Sequence, residues 1–146
     1  MQDLPHQYSA KVHGTPTTNL VTQGENLPEI IVAPPSNFGG PGDQWSPEEL
    51  LMAAVADCLV LSFKAISRAS KLEWLSIECE SNGTLDKVDR KIQFTDIVTK
   101  AKLVLASGED EAKAEGLLLK AEEVCFISNS LSCSSRLDYE IVISPE

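Results

Sequence analysis

The chain has 146 residues, 42% of them hydrophobic and 23% charged, with a formal net charge of −10. That length fits one domain, residues 1–146, large enough to bury a core. The acidic balance argues against a nucleic-acid binder, which needs clustered Lys and Arg, and equally against docking on an anionic membrane. No stretch approaches the length of a bilayer span, and the start, Met1 to His6, lacks the basic and apolar regions of a signal peptide. The expected location is the cytoplasm.

Taken in order, the first third of the chain reads as short strands. Tyr8, Ala10 and Val12 alternate with polar neighbours, Asn19–Thr22 and Glu29–Val32 follow, and turn residues stand between them. This spacing predicts an antiparallel meander. Residues 34–45 form a Gly/Pro loop, expected to be a flexible connector able to wall a site near the next element. It lacks the G-K-[ST] and the Rossmann spacing that a phosphate cradle needs.

That next element has a complete helix start. Ser46 fits the N-cap, Pro47 the first helical position, and Glu49 closes an S-x-x-E capping box. Trp45 and Leu50 stand where a hydrophobic staple would pack. The predicted helix runs to about Ala69 and carries Cys58 in its middle. Two backbones are open here: one straight helix, or a break at Ala56-Asp57 with Asp57 capping a second helix. The break would put Cys58 in a first turn, where backbone N–H groups favour a thiolate. It would also matter for Glu48, ten residues before Cys58. On a straight helix the two stand about 15 Å apart along the axis and do not touch.

The remainder alternates strand and helix. Trp74–Leu85 has period two, with Leu75, Ile77 and Cys79 on one face, and Asp86–Arg90 is the expected hairpin turn. Residues 92–106 form a second long strand, with Ile97, Thr99, Ala101, Leu103 and Leu105 on one side. A helix over residues 110–125 carries Ala114, Leu117, Leu118, Ala121, Val124 and Cys125 on its stripe, and Leu137–Ile143 is a closing strand. The order is β-β-β-α-β-β-α-β. The fold class is α+β, antiparallel sheets wrapped around two core helices.

The four cysteines carry the functional question. They form no C-x2-C pair and no structural zinc spacing with His6 or His13. No cofactor is expected. Cys79 and Cys133 fit apolar strand faces as small hydrophobes. Cys58 and Cys125, 67 residues apart, each sit on the core stripe of a helix. If those helices pack together, the two sulfurs form a candidate reversible disulfide.

These residues resemble the OsmC/Ohr family, the osmotically inducible and organic hydroperoxide resistance proteins, along almost the whole chain. The likeness rests on Ser46-Pro47-Glu48-Glu49-Leu50 with Cys58 downstream, on Leu85-Asp86-Lys87-Val88-Asp89, and on residues 120–131 around Cys125. The second stretch is more similar to the OsmC branch. The resemblance implies an intertwined homodimer with two interfacial sites, and a thiol-dependent peroxidase acting on organic hydroperoxides or hydrogen peroxide. It implies that Cys58 attacks the peroxide and becomes a sulfenic acid, that Cys125 resolves it to a disulfide, and that a dithiol reductant, a lipoylated protein in some relatives, restores the pair. Glu48 would belong to the network that orients the family's arginine.

Two departures from the pattern stand out. Residues 1–67 contain no arginine, leaving Lys11, Arg68, Arg90 or Arg136 as replacements. Phe126 follows Cys125 where the family usually has proline. The alternatives to catalysis are a binding protein holding an apolar or acyl ligand at the dimer interface, and a redox sensor.

Overall fold

A computed structural model of the chain describes residues 2–145. It divides into two compact units, Met1–Leu50 and Leu51–Glu146. In the first, β1 (Lys11–His13), β2 (Leu20–Gln23) and β3 (Ile30–Val32) form an antiparallel meander. The Gly/Pro loop after it is ordered, not a free connector. Ser36–Phe38 make a short 3-10 turn, the Ala33 N–H donates to the Trp45 carbonyl at 2.8 Å, and Val32 pairs with Trp45. Gly40 is required there: a Cβ on it would stand 1.7 Å from the Pro34 carbonyl oxygen.

The helix α1 (Pro47–Ala69) starts within the first unit and runs on into the second. Its capping box is made: the Glu49 N–H donates to Ser46 Oγ at 3.2 Å, and that hydroxyl donates to Glu49 Oε1 at 2.8 Å. The helix is unbroken through Asp57, which is exposed and starts no second helix. Val55, Leu59, Phe63 and Ser67 are its buried stripe, spaced by four. By length and composition α1 is also long and apolar enough to cross a membrane. This corrects the expectation that no stretch reaches that length. The charges at Asp57 and Lys64 interrupt the apolar run in sequence without shortening the helix.

The second unit is a three-stranded sheet with two helices on one face. The strands β4 (Trp74–Val88) and β5 (Lys91–Leu105) pair antiparallel. The helix α2 (Glu111–Glu123), capped by Asp110, leads through Cys125 to the four-residue α3 (Phe126–Asn129). The closing strand β6 (Ser134–Ile143) pairs with β5 in parallel, where an antiparallel neighbour was expected. The reason is topological: a helix between two strands makes a crossover, and a crossover returns the chain in the same direction. The predicted buried face of β5 is observed, with Ile97, Thr99, Ala101, Leu103 and Leu105 all buried. Leu59 and Phe63 of α1 and Ala114, Leu118 and Ala121 of α2 close the core over it. Gly83 on β4 leaves room for Met52 of α1, whose sulfur lies 2.8 Å from where a Cβ would be. On the opposite face, Glu78, Lys102 and Glu140 sit in register, as do Glu80, Lys100 and Asp138. Alternating charge across strands favours that solvated pairing.

Candidate functional site

Cys58 lies mid-way along α1 and is half-buried. Cys125 is buried, 1% exposed, and occupies the N-cap of α3. It is not on α2, which ends at Glu123. The stripe predicted for one helix continues through a bend, so the residue still points inward. A helix start leaves its first N–H groups without intrahelical partners, and α3 has no side chain capping them. The sulfur of Cys58 lies near that helix start. The N–H groups of Ile127 and Phe126, the thiol of Cys125 and the hydroxyl of Ser62, one turn along α1, all favour its ionised form.

This geometry separates the two thiols. Burial pushes Cys58 up, but the N–H of Ile127, the Cys125 thiol, the N–H of Phe126 and the Ser62 hydroxyl outweigh it, and the net shift is below the ordinary 9.0. All four donors are neutral groups. Cys125 moves the opposite way. Burial raises it, Ser128 opposes with a hydrogen bond to Sγ at 3.3 Å, and the neighbouring Cys58 anion raises it further. The result is one thiol ready to ionise beside one that holds its proton. The helix-start stabilisation that a break at Asp57 would have supplied is present, but it comes from α3, packed against Cys58 from a distant part of the chain.

The other cysteines do not join them. Cys79 is half-buried on β4, and burial pushes its thiol up to about 11. Cys133 lies in the bend before β6 and not on a strand face as expected. Among the described residues no group of three or more His, Cys, Asp or Glu is placed to hold a metal ion.

Glu48 sits in the first turn of α1, and the unbroken helix keeps it about 15 Å along the axis from Cys58 of the same chain. Its Oε1 is buried and has no hydrogen-bond partner among the described residues. It lines a cavity of about 420 Å3 walled by Leu20, Val32, Pro34, Pro35 and Phe38. The Gly/Pro loop thus does wall a cavity near the helix start. Of the cations weighed as replacements for the arginine, Lys11 is exposed on β1, Arg68 at the end of α1 and Arg90 at the β4–β5 turn. Arg136 on β6 lines a small cavity together with Cys125 and stands 3.8 Å from Asp138. Ser62, Ser128 and Glu122 were not singled out from sequence. Their signal was helical spacing from the two cysteines, four residues on from Cys58 and three either side of Cys125.

Residues 40–140 match the family model for OsmC-like proteins. The chain belongs to the OsmC-like family. It is 31% identical to an uncharacterized protein, YmaD, of Bacillus subtilis over 109 residues, 73% of each chain. It is also 31% identical to Escherichia coli peroxiredoxin OsmC over 96 residues, 66% of each chain, just under two thirds of that relative's length. Among solved structures, an OsmC-like protein of unknown function from Vibrio cholerae superposes with a TM-score of 0.85 at 20% identity, covering 93% of this chain and 100% of that one. An organic hydroperoxide resistance protein OsmC from Legionella pneumophila gives 0.74 at 24% identity, covering 96% and 99%. At these identities the structures speak for the OsmC-like fold alone.

Proposed function

We propose that this OsmC-like protein is a cysteine-based peroxidase for organic hydroperoxides or hydrogen peroxide. The observation that carries the reading is the sulfur pair. Cys58 is held toward its thiolate by two backbone N–H groups and by the thiol of Cys125, which is already in contact with it. Peroxide cleavage needs that arrangement: the Cys58 thiolate attacks one peroxide oxygen, the O–O bond breaks, and the alcohol or water leaves. Cys125 then condenses with the Cys58 sulfenic acid, and an external dithiol, a lipoylated protein being one class, reduces the disulfide. Four free thiols fit a reducing, cytoplasmic setting. Family membership alongside a peroxiredoxin supports the assignment.

The reading includes a homodimer. Leu61 on α1 is 62% exposed and Phe126 beside the cysteines 77%, apolar surface that a second copy would cover. It also assigns Glu48 to the site of another copy, because the straight helix keeps it from the Cys58 of its own chain. The test is stopped-flow oxidation with cumene hydroperoxide and hydrogen peroxide, followed by mass spectrometry. Cys58→Ser abolishes consumption, and Cys125→Ser gives one turnover and a trapped sulfenate. Wild-type protein that consumes neither peroxide with any dithiol overturns the proposal.

A second reading has its own observation. The 420 Å3 cavity around Glu48 is walled largely by apolar side chains, with no arginine among them. It suits an apolar or acyl ligand, and native mass spectrometry of the purified protein detects such a ligand if the function is binding.

A further inference from the structure

Cys125 is 1% exposed, so bulk water does not reach its thiol directly. To attack oxidised Cys58 it must lose a proton, and burial makes that loss harder. A proton acceptor inside the fold is therefore needed. The structure offers one. Glu122 is three residues before Cys125, and the Cys125 N–H donates to the Glu122 carbonyl at 3.3 Å, which fixes the two residues relative to each other. Glu122 Oε2 is buried with no hydrogen-bond partner among the described residues. A buried carboxylate oxygen without a partner is costly and needs a reason. Glu122, Cys125 and Ser128 line one cavity that leaves about 10 Å3 for the centre of a water molecule, room for about one.

We propose that Glu122 is the positioning residue that accepts the Cys125 proton, through a single water held in this cavity. The proposal rests on the reading that Cys125 resolves oxidised Cys58. The Cys125 thiol gives its proton to the water, and the water gives one to Glu122. The Cys125 sulfur forms the S–S bond with the Cys58 sulfur, and the S–O bond of the sulfenic acid breaks. Hydroxide leaves with the bonding pair and takes up, through the same water, the proton that Glu122 received, so that it departs as water and Glu122 returns to its carboxylate. The Cys58 sulfur is reduced and the Cys125 sulfur oxidised, so one thiol and one sulfenic acid become one disulfide and one water.

The surroundings suit the role. Burial holds the Glu122 carboxyl above its usual 4.5, nearer to the thiol it serves. The side chains that α1 and β5 bring to the cavity, Val55, Leu59 and Thr99, carry no titrating group. The charged group facing it is Arg136 on β6, 70% exposed and 3.8 Å from Asp138. Cys125 is the other titrating group there, and Cys58, the neighbour of the Cys125 thiol, does not line the cavity.

The test uses the full chain in a Cys79→Ala, Cys133→Ala background, so that only two thiols react. Cys58 is oxidised in two ways, with one equivalent of cumene hydroperoxide and with an aromatic disulfide of the dithiobis-nitrobenzoate type. In the second arm Cys58 forms a mixed disulfide, and attack by Cys125 releases a second coloured thiolate without any peroxide chemistry. Glu122→Gln is expected to leave the first phase unchanged and to slow the second about 100-fold at neutral pH. The wild-type second phase rises with pH in the carboxyl range, whereas the Gln variant rises only toward the thiol range above 9.0. A Gln variant whose second phase matches wild type in rate and pH profile overturns the proposal. If that variant does not fold, the wild-type profile decides: a second phase that follows only the thiol titration overturns it. Glu122 dependence in the aromatic arm, with no reaction in the peroxide arm, leaves this proposal standing and removes the peroxidase reading.

Discussion

The Cys58 sulfur lowers its pKa without a formal charge beside it in its own chain. Peptide N–H groups at a helix start carry partial positive charge, and two of them, together with the Cys125 thiol and the Ser62 hydroxyl, outweigh the penalty of partial burial. Cys79 has the burial without the donors and moves the other way, to about 11. Iodoacetamide mapping by mass spectrometry is therefore expected to modify Cys58 first, with a half-point below 9.0, and to leave Cys79 untouched at neutral pH. The rate at Cys58 falls as pH drops through its folded pKa, because the thiolate is lost. Stability responds to Cys79 with a definite sign. The unfolded chain releases that proton near 9.0, the folded chain near 11, so the unfolded state binds fewer protons between those values. The contribution is fully present below pH 9.0 and is lost as pH rises toward 11. Urea midpoints measured under reducing conditions should fall over that window, and less steeply in Cys79→Ala.

At the scale of elements, two local devices invite measurement. Ser46 is fully buried and makes both hydrogen bonds of the α1 capping box. Ser46→Ala removes the pair and is expected to cost ~1–2 kcal/mol by urea denaturation. The β4–β5 hairpin turns on two residues, Asp89 and Arg90, with φ of 48° and 73°. Both are in the left-handed region, where Asn-Gly is the favoured pair. The broader turn expected over residues 86–90 reflects the incompleteness of that signal: Asp89 suits a turn, but Arg90 stands where glycine would mark a tight one. Replacing the two with Asn-Gly should stabilise the protein by ~0.5–1 kcal/mol, with unchanged thiol reactivity at Cys58.

For the whole molecule, the exposed apolar side chains of α1 and α3 and the proposal that Glu48 serves a second copy's site lead to one prediction. Sedimentation equilibrium should give a dimer, and mixed dimers should complement. Cys58→Ser and Glu48→Gln chains, each with little activity alone, are co-expressed. A two-fold dimer whose sites each take Cys58 from one chain and Glu48 from the other recovers one working site per heterodimer, about a quarter of wild-type activity after random mixing. No recovery places Glu48 outside the partner's site.

Much was legible in the sequence because it depends on neighbours along the chain. Period-two burial on β5, the capping box of α1, the element order and the inward stripe that ends in Cys125 all follow from side-chain spacing, which local backbone geometry converts directly into faces. The straightness of α1 at Asp57, the parallel docking of β6 on β5 and the supply of N–H donors to Cys58 by α3 do not follow from spacing. They depend on how segments distant along the chain pack, 38 residues apart for the paired positions of β5 and β6 and 68 or 69 for Cys58 and its N–H donors, and no local pattern carries that information. The two sulfurs were visible as residues. Which of them ionises was decided only in three dimensions, because a thiol's charge is set by the donors and the burial around it rather than by its neighbours in the chain.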